Sequence, residues 1–335
     1  MTPKVPESLG RTGDLVQPAL RAAVDRLADE RMRRIAEYQL GWCEPDGTPT
    51  AGHGGKGIRG ALTVLTTEAI HADGTAALPA AAAVELVHNF SLLHDDVMDR
   101  DVERRHRPTG WVVFGDGPTI LAGTAMLTLA VQVVGDDAPA ALSCLLDATQ
   151  KLISGQSDDL RLESAAEVRV EDVFTMEAGK TAALLSCAAS IGPAAVHAPS
   201  ETVAALAAYG YELGMAFQLV DDVLGITGDP AATGKSASSD LRANKRSVPI
   251  VAALRADNEA GRRLRDLLGG GPPASEDDVA LAAKLVDEAG GIEWTQQQAR
   301  ACAERAFARL AGLDLVPAAA ADLVALGHYV VDRDR

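Results

Sequence analysis

The sequence predicts an all-α protein, a single domain over residues 1–335 built as a bundle of about ten or more helices around a central cavity. Its 47% apolar and 23% charged residues are ordinary for a globular chain. Aromatic residues make up only 4%, and Ala and Leu dominate, which favours helices over a β-sandwich. Apolar residues recur at helical spacing, without the long alternation that a sheet requires.

Short segments rich in Gly and Pro separate the predicted helices. Residues 1–14 mix charges with Pro and Gly, and we expect them to be flexible. A first helix is predicted over 15–40, followed by a glycine-rich loop over 44–60. Further helices are predicted over 61–71, 79–99, 120–134, 138–162, 170–191, 201–224 and 246–268. Two more helices are expected after the surface loop at 269–277.

The charge balance limits the possible partners. There are 31 Lys and Arg against 47 Asp and Glu, a net charge of −16, which argues against nucleic acid or an anionic membrane as the main partner. The uncharged stretches 117–135 and 181–200 contain several Thr and a Gly-Pro break, respectively, so we expect buried helices and no membrane span. Scattered cysteines and the lack of a signal peptide favour the cytoplasm.

An acidic pair ends one of the predicted apolar helices. Asp95 and Asp99 lie one turn apart on one face, about 6 Å from each other, where their repulsion is strengthened by the negative end of the helix dipole. Cations would remove this repulsion. Oxygen ligands without suitably spaced His or Cys indicate Mg²⁺. Asp221 and Asp222 end a second apolar helix, and two such pairs at one end of a bundle would clamp a polyphosphate.

Short basic clusters accompany the two acidic pairs along the chain. An acidic composition does not explain them, and guanidinium groups suit bidentate phosphate contacts. The clusters comprise Lys56 and Arg59, Arg104 and Arg105, Lys180 beside Thr181, and Lys235 and Lys245.

Seven motifs, in this order, resemble those of the trans-isoprenyl diphosphate synthases, or polyprenyl synthetases. They are GGKGIRG, VELVHNFSLLHDDVMDRDVERRHRPT, ILAG, GQSDDL, AGKTAAL, FQLVDD and GDPAATGKSASSDLRANKR, within about residues 52–249. The resemblance implies a Mg²⁺-dependent homodimeric prenyltransferase. Its substrates would be isopentenyl diphosphate and an allylic diphosphate, which could be dimethylallyl, geranyl or farnesyl diphosphate.

The resemblance also implies roles for single residues. Magnesium would be bound by Asp95, Asp99 and Asp221. The allylic diphosphate would be held by Arg104, Lys180, Lys235 and Lys245, with Thr181 and Gln218 at its reacting end. Isopentenyl diphosphate would be held by Lys56, Arg59, His88 and Arg105. Phe90, five residues before Asp95, would form the floor for the growing tail, which is similar to synthases of geranylgeranyl diphosphate, with farnesyl diphosphate as the alternative.

Four positions depart from the family pattern and keep other functions open. Gly225 stands where the family often has a third Asp, and Gly57, Gly60 and Thr124 replace the usual Arg, Pro and Asp. These departures allow a non-catalytic partner subunit that keeps the fold. A class I terpene cyclase-like enzyme is a second alternative. A third is a di-iron protein, from the E-x-x-H pairs Glu68/His71 and Glu85/His88.

Overall fold

The computed structural model describes residues 5–50, 55–165, 167–228, 238–269 and 271–332. These residues form an all-α protein, as predicted. The first helices are α1 (Glu7–Val24), α2 (Glu30–Gln39), α3 (Ile58–Ala69), α4 (Leu78–Asp99), α5 (Gly110–Phe114), α6 (Asp116–Asp137), α7 (Leu142–Glu163) and α8 (Val170–Glu177). They are followed by α9 (Ala183–Ala195), α10 (Ser200–Thr227), α11 (Ser239–Arg242), α12 (Val248–Arg255), α13 (Glu259–Leu268), α14 (Glu276–Glu288), α15 (Gly291–Leu310) and α16 (Pro317–Val331). A two-residue ribbon pairs β1 (Glu103–Arg104) antiparallel with β2 (Arg107–Pro108).

The main core lies where α4, α6, α9 and α10 pack together. Helix α4 is apolar on most of its surface, and residues such as Leu86 and Leu93 are completely buried. Helices α9 and α10 approach closely because α10 carries Gly210 and Gly214 on the shared face. A Cβ added at Gly210 would lie 2.4 Å from the carbonyl oxygen of Leu185 on α9. This close packing fixes the position of α10 relative to α9.

The N-terminal prediction needs correction in two places. The predicted helix 15–40 is two helices, because Asp29 caps α2 by accepting hydrogen bonds from the backbone N–H groups of Arg31 and Met32. The expected flexible segment is also too long, since α1 begins at Glu7 and buries Leu9 and Thr12.

Helix boundaries in the C-terminal half differ in a similar way. The predicted helix 246–268 is split into α12 and α13, because Asn258 accepts a hydrogen bond from the backbone N–H of Gly261 and caps α13. The predicted helix 170–191 is interrupted by a π turn over Ala178–Ala182. Three helices follow residue 270 where two were expected, because Gly290 with φ 87° ends one helix and allows the next to start at once.

Three helical segments are long and apolar enough to cross a membrane by length and composition alone: Gly74–Asp99, Asp116–Asp137 and Ser200–Thr227. Between 44% and 67% of their apolar windows is buried inside the protein. Asp116–Asp137 contains the stretch 117–135 that the sequence analysis singled out, and part of each apolar window packs inside the bundle.

Candidate active site

The two carboxylates predicted to share a helix face, Asp95 and Asp99, each contact a lysine from another part of the chain. Asp95 Oδ1 lies 3.1 Å from Nζ of Lys180, and Asp99 Oδ2 lies 2.9 Å from Nζ of Lys245. Both acids are in the last turn and a half of α4, which ends at Arg100, a residue with φ 58°. The structure thus brings four predicted site residues together.

Lys180 has a second acidic neighbour, Asp159 on α7. Its Nζ lies 2.6 Å from Asp159 Oδ2, so one ammonium group bridges Asp159 and Asp95. Lys180 belongs to the π turn Ala178–Ala182, and π turns frequently occur at functional sites. The prediction did not select Asp159. Its only signal is the last Asp of the GQSDDL motif.

Two glycines make this arrangement possible, Gly155 on α7 and Gly179 in the π turn. A Cβ added at Gly155 would lie 2.1 Å from the backbone nitrogen of Lys180, and one added at Gly179 would lie 2.9 Å from Cα of Gly155. No side-chain movement relieves a contact with backbone atoms. Because Asp159 follows Gly155 by one helical turn, the glycine contact fixes Asp159 beside Lys180.

The electrostatics of this cluster favour the ionised form of Asp95 and the charged form of Lys180. Burial opposes ionisation of Asp95, but Lys180 and then Arg104 and Lys245 outweigh it, so the pKa of Asp95 is lowered. Burial likewise disfavours the charged form of Lys180, but Asp95 and Asp159 outweigh it and raise the pKa of Lys180. The protein therefore carries two ion-pair sets that can exchange partners with an incoming anion and its metal.

Arg104 is committed to a carboxylate that the sequence analysis gave no role. Its Nε and Nη2 lie 2.7 and 2.6 Å from Oδ1 of Asp96, and Nη2 is 3.9 Å from Oδ2 of Asp95. Asp96 has a side chain that is 1% exposed. Burial raises the pKa of Asp96 to about 6 although Arg104 lowers it in part. Arg104 is therefore fixed by its two contacts with Asp96.

The predicted isopentenyl diphosphate residues form a second basic cluster. Nη1 of Arg59 lies 3.2 Å from Nε2 of His88. Burial, followed by the charges of Arg59, Arg105 and Arg104, lowers the pKa of His88 well below its ordinary value, so this imidazole is neutral. Arg105 has φ 54° in the turn of the β-ribbon, and its guanidinium lies where a Cβ of Gly55 would be, at 2.6 Å. Glycine at position 55 therefore leaves room for the guanidinium of Arg105.

One predicted lysine, Lys56, contacts an aromatic ring instead of these clusters. Nζ of Lys56 lies over the ring of Tyr329 on α16, 5.2 Å from its centroid. Lys235 lies outside the described residues. Asp221 lies on α10, half-buried, and forms no hydrogen bond or ion pair with another described residue.

A chain of hydrogen bonds runs from the predicted catalytic hydroxyl into the core. The Thr181 hydroxyl donates to Oε1 of Gln218 at 2.7 Å, and Nε2 of Gln218 donates to Oδ1 of Asp222 at 2.8 Å. The backbone N–H of Val248 donates to Oδ2 of Asp222 at 2.9 Å. Since Lys245 contacts Asp99, residues 245–248 link the first acidic pair to the second.

Glu177 is a buried acid beneath this chain that the prediction missed. It is 2% exposed, neither of its oxygens has a hydrogen-bond partner among the described residues, and the charge of Asp222 acts on it. Burial and then Asp222 raise the pKa of Glu177 well above its ordinary value. Burial also raises the pKa of Asp222 to about 6. Both carboxyls therefore keep their protons to a higher pH than a free carboxyl does.

We predict that Glu177→Gln stabilises the ligand-free protein as pH rises. A carboxyl whose pKa is raised on folding contributes stability below its unfolded value, near 4.5 here, and loses it as pH rises through the folded pKa. Glutamine keeps a hydrogen-bond donor without that loss. Melting curves should therefore show the Tm of the variant, relative to wild type, increasing by a few degrees between about pH 5 and pH 8. A constant difference across this range would contradict a raised pKa at Glu177.

The structure explains two of the departures from the family pattern. Gly57 precedes α3 with φ 61°, a left-handed conformation that favours glycine over the usual arginine. The backbone N–H of Gly60 donates to Oε1 of the buried Glu85 at 2.8 Å, and proline would lack this donor. Both glycines therefore serve the entry into α3, close to Arg59.

The di-iron alternative is wrong. Glu85 accepts a hydrogen bond from the backbone N–H of Gly60, and Glu68 accepts two hydrogen bonds of 2.7 Å from Arg11. Within the described ranges, no three His, Cys, Asp or Glu side chains come close enough to bind a metal together.

Magnesium nevertheless fits the first acidic pair. It is commonly bound by one or two carboxylates together with substrate phosphates, so a three-ligand protein cage is not required. Asp99 Oδ1 and Asp96 Oδ2 are buried oxygens without a hydrogen-bond partner, which leaves acceptor capacity at the end of α4.

Comparison with known proteins identifies close relatives. The polyprenyl synthetase family model matches residues 47–286. The chain is 44% identical over 340 residues to a (2E,6E)-farnesyl diphosphate synthase of Mycobacterium tuberculosis, covering 99% of this chain and 94% of the relative. It is 42% identical to a geranylgeranyl diphosphate synthase of the same organism, covering 95% and 91%. A polyprenyl synthetase crystal structure from Streptomyces coelicolor superposes with a TM-score of 0.90 at 44% identity, covering 97% and 98%.

Proposed function

The chain belongs to the polyprenyl synthetase family and is a short-chain trans-prenyltransferase, and from this premise we propose that its main product is geranylgeranyl diphosphate. Enzymes of this class ionise the C–O bond of an allylic diphosphate. The double bond of isopentenyl diphosphate then forms a C–C bond with the carbocation, a proton is lost, and inorganic diphosphate leaves. The observation that carries the assignment of the site is the pairing of Asp95 and Asp99 with Lys180 and Lys245.

We assign the allylic diphosphate to this end of α4. The family uses a divalent metal, and we propose Mg²⁺ held by Asp95, Asp99 and Asp221. When bound, Mg²⁺ neutralises the charge that develops on the leaving diphosphate. Lys180 and Lys245 neutralise the carboxylates in the ligand-free protein. Their ammonium groups become available to the diphosphate oxygens when cations replace them.

The remaining allylic contacts follow from the same geometry. Arg104, fixed by Asp96, points a guanidinium toward Asp95 and would hold the diphosphate. Lys235, outside the described residues, is proposed for the same diphosphate on the sequence resemblance alone. The Thr181 hydroxyl donates to Gln218, so its oxygen lone pairs remain directed away from that amide. These two uncharged polar groups offer no strong nucleophile to a carbocation.

We assign isopentenyl diphosphate to the cluster of Arg59, His88 and Arg105, and we propose Lys56, which lies over the ring of Tyr329 in the ligand-free protein, as a further contact. A neutral His88 accepts from Arg59, which holds the guanidinium in place without adding a charge. A cyclase has no second diphosphate to bind, so this second basic cluster favours a synthase over a terpene cyclase. A second diphosphate site also favours an active synthase over a non-catalytic partner subunit.

Product length rests on Phe90. This residue is 6% exposed on α4, and its ring packs edge-on against His94, with 4.8 Å between the ring centroids. His94 in turn sits against Gly123 of α6, where an added Cβ would lie 2.5 Å from its ring. The ring of Phe90 is therefore fixed by His94, which packs against α6. Farnesyl diphosphate is the second candidate product, because a farnesyl diphosphate synthase is 44% identical to the chain.

Phe90→Ala is expected to lengthen the products by one or two isoprene units, because removal of the buried ring opens space beside α4. The diphosphate contacts one turn and more away remain, so the rate should fall only modestly. Products from isopentenyl diphosphate and each allylic primer would be separated by chain length. Wild type should stop at geranylgeranyl diphosphate.

The matched control is Phe307→Ala on α15, whose ring also stacks on a histidine, His328, at 4.9 Å. It should leave product length unchanged. A folded, active Phe90→Ala variant with wild-type products would remove Phe90 as the limit on chain length. Truncation of a buried ring can remove about 3–5 kcal/mol of stability, so melting curves come first.

We further propose a homodimer formed through α6 and α7. Leu146, Ile153 and Leu160 form a stripe along α7 at 40–50% exposure, and Leu121 of neighbouring α6 is 60% exposed. Such a run of exposed apolar side chains on adjacent helices suits a second copy of the chain. Ile153→Glu should convert a dimer into a monomer in analytical ultracentrifugation. A wild-type monomer, or a variant that stays dimeric, would contradict this interface.

We place the enzyme in the cytoplasm. All four cysteines are free thiols, as expected in a reducing compartment.

A further inference from the structure

Two of the four cysteines contact each other between helices α7 and α9. Cys144 is the third residue of α7, and Cys187 lies in the second turn of α9. Their sulfur atoms are 3.5 Å apart. A disulfide bond is about 2.05 Å long, so a movement of about 1.5 Å would join the two sulfurs. The condensation reaction proposed above gives neither thiol a role.

The two thiols differ in their access to solvent. Cys144 is partly exposed, whereas Cys187 is 2% exposed and belongs to the main core. At about 100° per residue, Cys144 lies on the opposite side of α7 from Leu146 and Ile153, which belong to the apolar stripe proposed for the dimer. Cys144 is therefore the thiol that a small oxidant reaches first, and Cys187 lies beside it.

The surroundings of Cys144 favour its thiolate, the form of cysteine that reacts as a nucleophile. The hydrogen bond with Cys187 lowers the pKa of Cys144 to about 7 although burial opposes it, and the Ser190 hydroxyl, 3.4 Å from the sulfur, acts in the same direction as Cys187. The first turn of α7 adds the positive end of a helix dipole. The hydrogen bond to Cys144 and then burial raise the pKa of Cys187 well above its ordinary value. The pair thus combines one reactive thiolate with one thiol that keeps its proton.

The other two cysteines have different surroundings. Cys43 follows α2 and is 4% exposed, and Cys302 on α15 is 3% exposed. Burial raises the pKa of both thiols. They are therefore expected to stay reduced under conditions that oxidise Cys144, and each can serve as an internal standard.

We propose that Cys144 and Cys187 form a reversible disulfide, which hydroperoxides close and small thiols open. In the first step the sulfur of Cys144 attacks one oxygen of the peroxide. An S–O bond forms as the O–O bond breaks, two electrons pass from sulfur to the peroxide, and water or an alcohol leaves with the thiol proton. Cys144 is then a sulfenic acid.

In the second step Sγ of Cys187 attacks Sγ of Cys144. The S–S bond forms, the S–O bond breaks, and hydroxide leaves as water with the proton of Cys187. Two thiols and one hydroperoxide thus give one disulfide, one water and one further water or alcohol. The disulfide closes a loop of about forty residues, and such a cross-link stabilises the fold by restricting the unfolded chain.

The test treats the reduced full-length protein with a small excess of hydrogen peroxide after the reductant has been removed. Thiols are counted in the unfolded protein, and tryptic peptides are mapped without reduction, since cleavage at Lys151 and Lys180 separates the two cysteines. Wild type should lose two of its four thiols and two hydrogen atoms of mass, and one peptide pair should be linked through Cys144 and Cys187. Its Tm should rise by a few degrees. Dithiothreitol should reverse all of these changes.

Three variants separate the steps. Cys144→Ser should keep all of its remaining thiols and show no rise in Tm. Cys187→Ala should accumulate the sulfenic acid at Cys144, which dimedone traps, because the second thiol is missing. Cys302→Ala, which removes a thiol as buried as Cys187, is the matched control and should still form the disulfide. If Cys187→Ala does not fold, the comparison of wild type with Cys144→Ser decides alone.

Three results would overturn the proposal. One is a wild-type protein that retains four thiols after peroxide treatment. Another is oxidation of Cys144 without a linked peptide pair, and the third is a link that joins either cysteine to Cys43, to Cys302 or to a second copy of the chain. None of these results depends on the proposed condensation, which is measured separately.

Discussion

Asp95→Ala is expected to lower kcat by at least about 10²–10³-fold, the loss seen when one group that stabilises developing charge is removed. Asp95 is a proposed metal ligand and contacts Lys180 at 3.1 Å, so its removal also leaves the lysine with Asp159 alone. Both effects act on the charge of the leaving diphosphate. The drop should therefore be in kcat more than in KM for isopentenyl diphosphate.

Steady-state kinetics with saturating Mg²⁺ provide the measurement. Asp287→Ala changes an exposed acid of α14 far along the chain from the motifs and serves as the control for loss of one negative charge. It should retain wild-type kcat. An Asp95→Ala variant within about threefold of wild type would show that the end of α4 does not bind the metal.

Gly155→Ala is expected to be the most damaging conservative change in the protein. The added methyl group would lie 2.1 Å from the backbone nitrogen of Lys180 and 2.6 Å from the carbonyl carbon of Gly179. Helix α7 must move away from the π turn, which separates Asp159 from Lys180. A displacement of about 1 Å at a positioning group can lower the rate about 10²-fold. Overpacking of this kind typically also destabilises by about 1–3 kcal/mol.

The control is Gly13→Ala on α1, where an added Cβ has no neighbour within 4 Å. Alanine favours a helix over glycine, so this variant should be as stable as wild type or slightly more stable. Melting curves and kcat would be compared for both variants. If Gly155→Ala matched Gly13→Ala in activity, the close contact between α7 and the π turn would have no role in placing Lys180.

Much of the fold and the site could be predicted because helical periodicity and motif spacing are local properties. Helix α4 was predicted to within one residue, and the shared face of Asp95 and Asp99 followed from 3.6 residues per turn. Helix ends were less accurate. Capping by Asp29 and Asn258 competes with continued periodicity, and a window of apolar spacing does not register a single cap.

The partners of the site residues could not be predicted in the same way. Asp159 and Asp95 both contact Lys180 because a glycine contact brings α7 close to the π turn. Asp96 binds Arg104 because the chain turns after Arg100. Both are tertiary packing outcomes.

The central claim is that the paired acids at the ends of α4 and α10 operate with Mg²⁺ on two diphosphate substrates. The most direct measurement is consumption of isopentenyl diphosphate by the purified protein, with and without an allylic primer, in Mg²⁺ and again in excess EDTA. The account predicts condensation only when isopentenyl diphosphate, allylic primer and Mg²⁺ are all present, with inorganic diphosphate released in equal amount to each bond formed. Undiminished product formation in excess EDTA would contradict it.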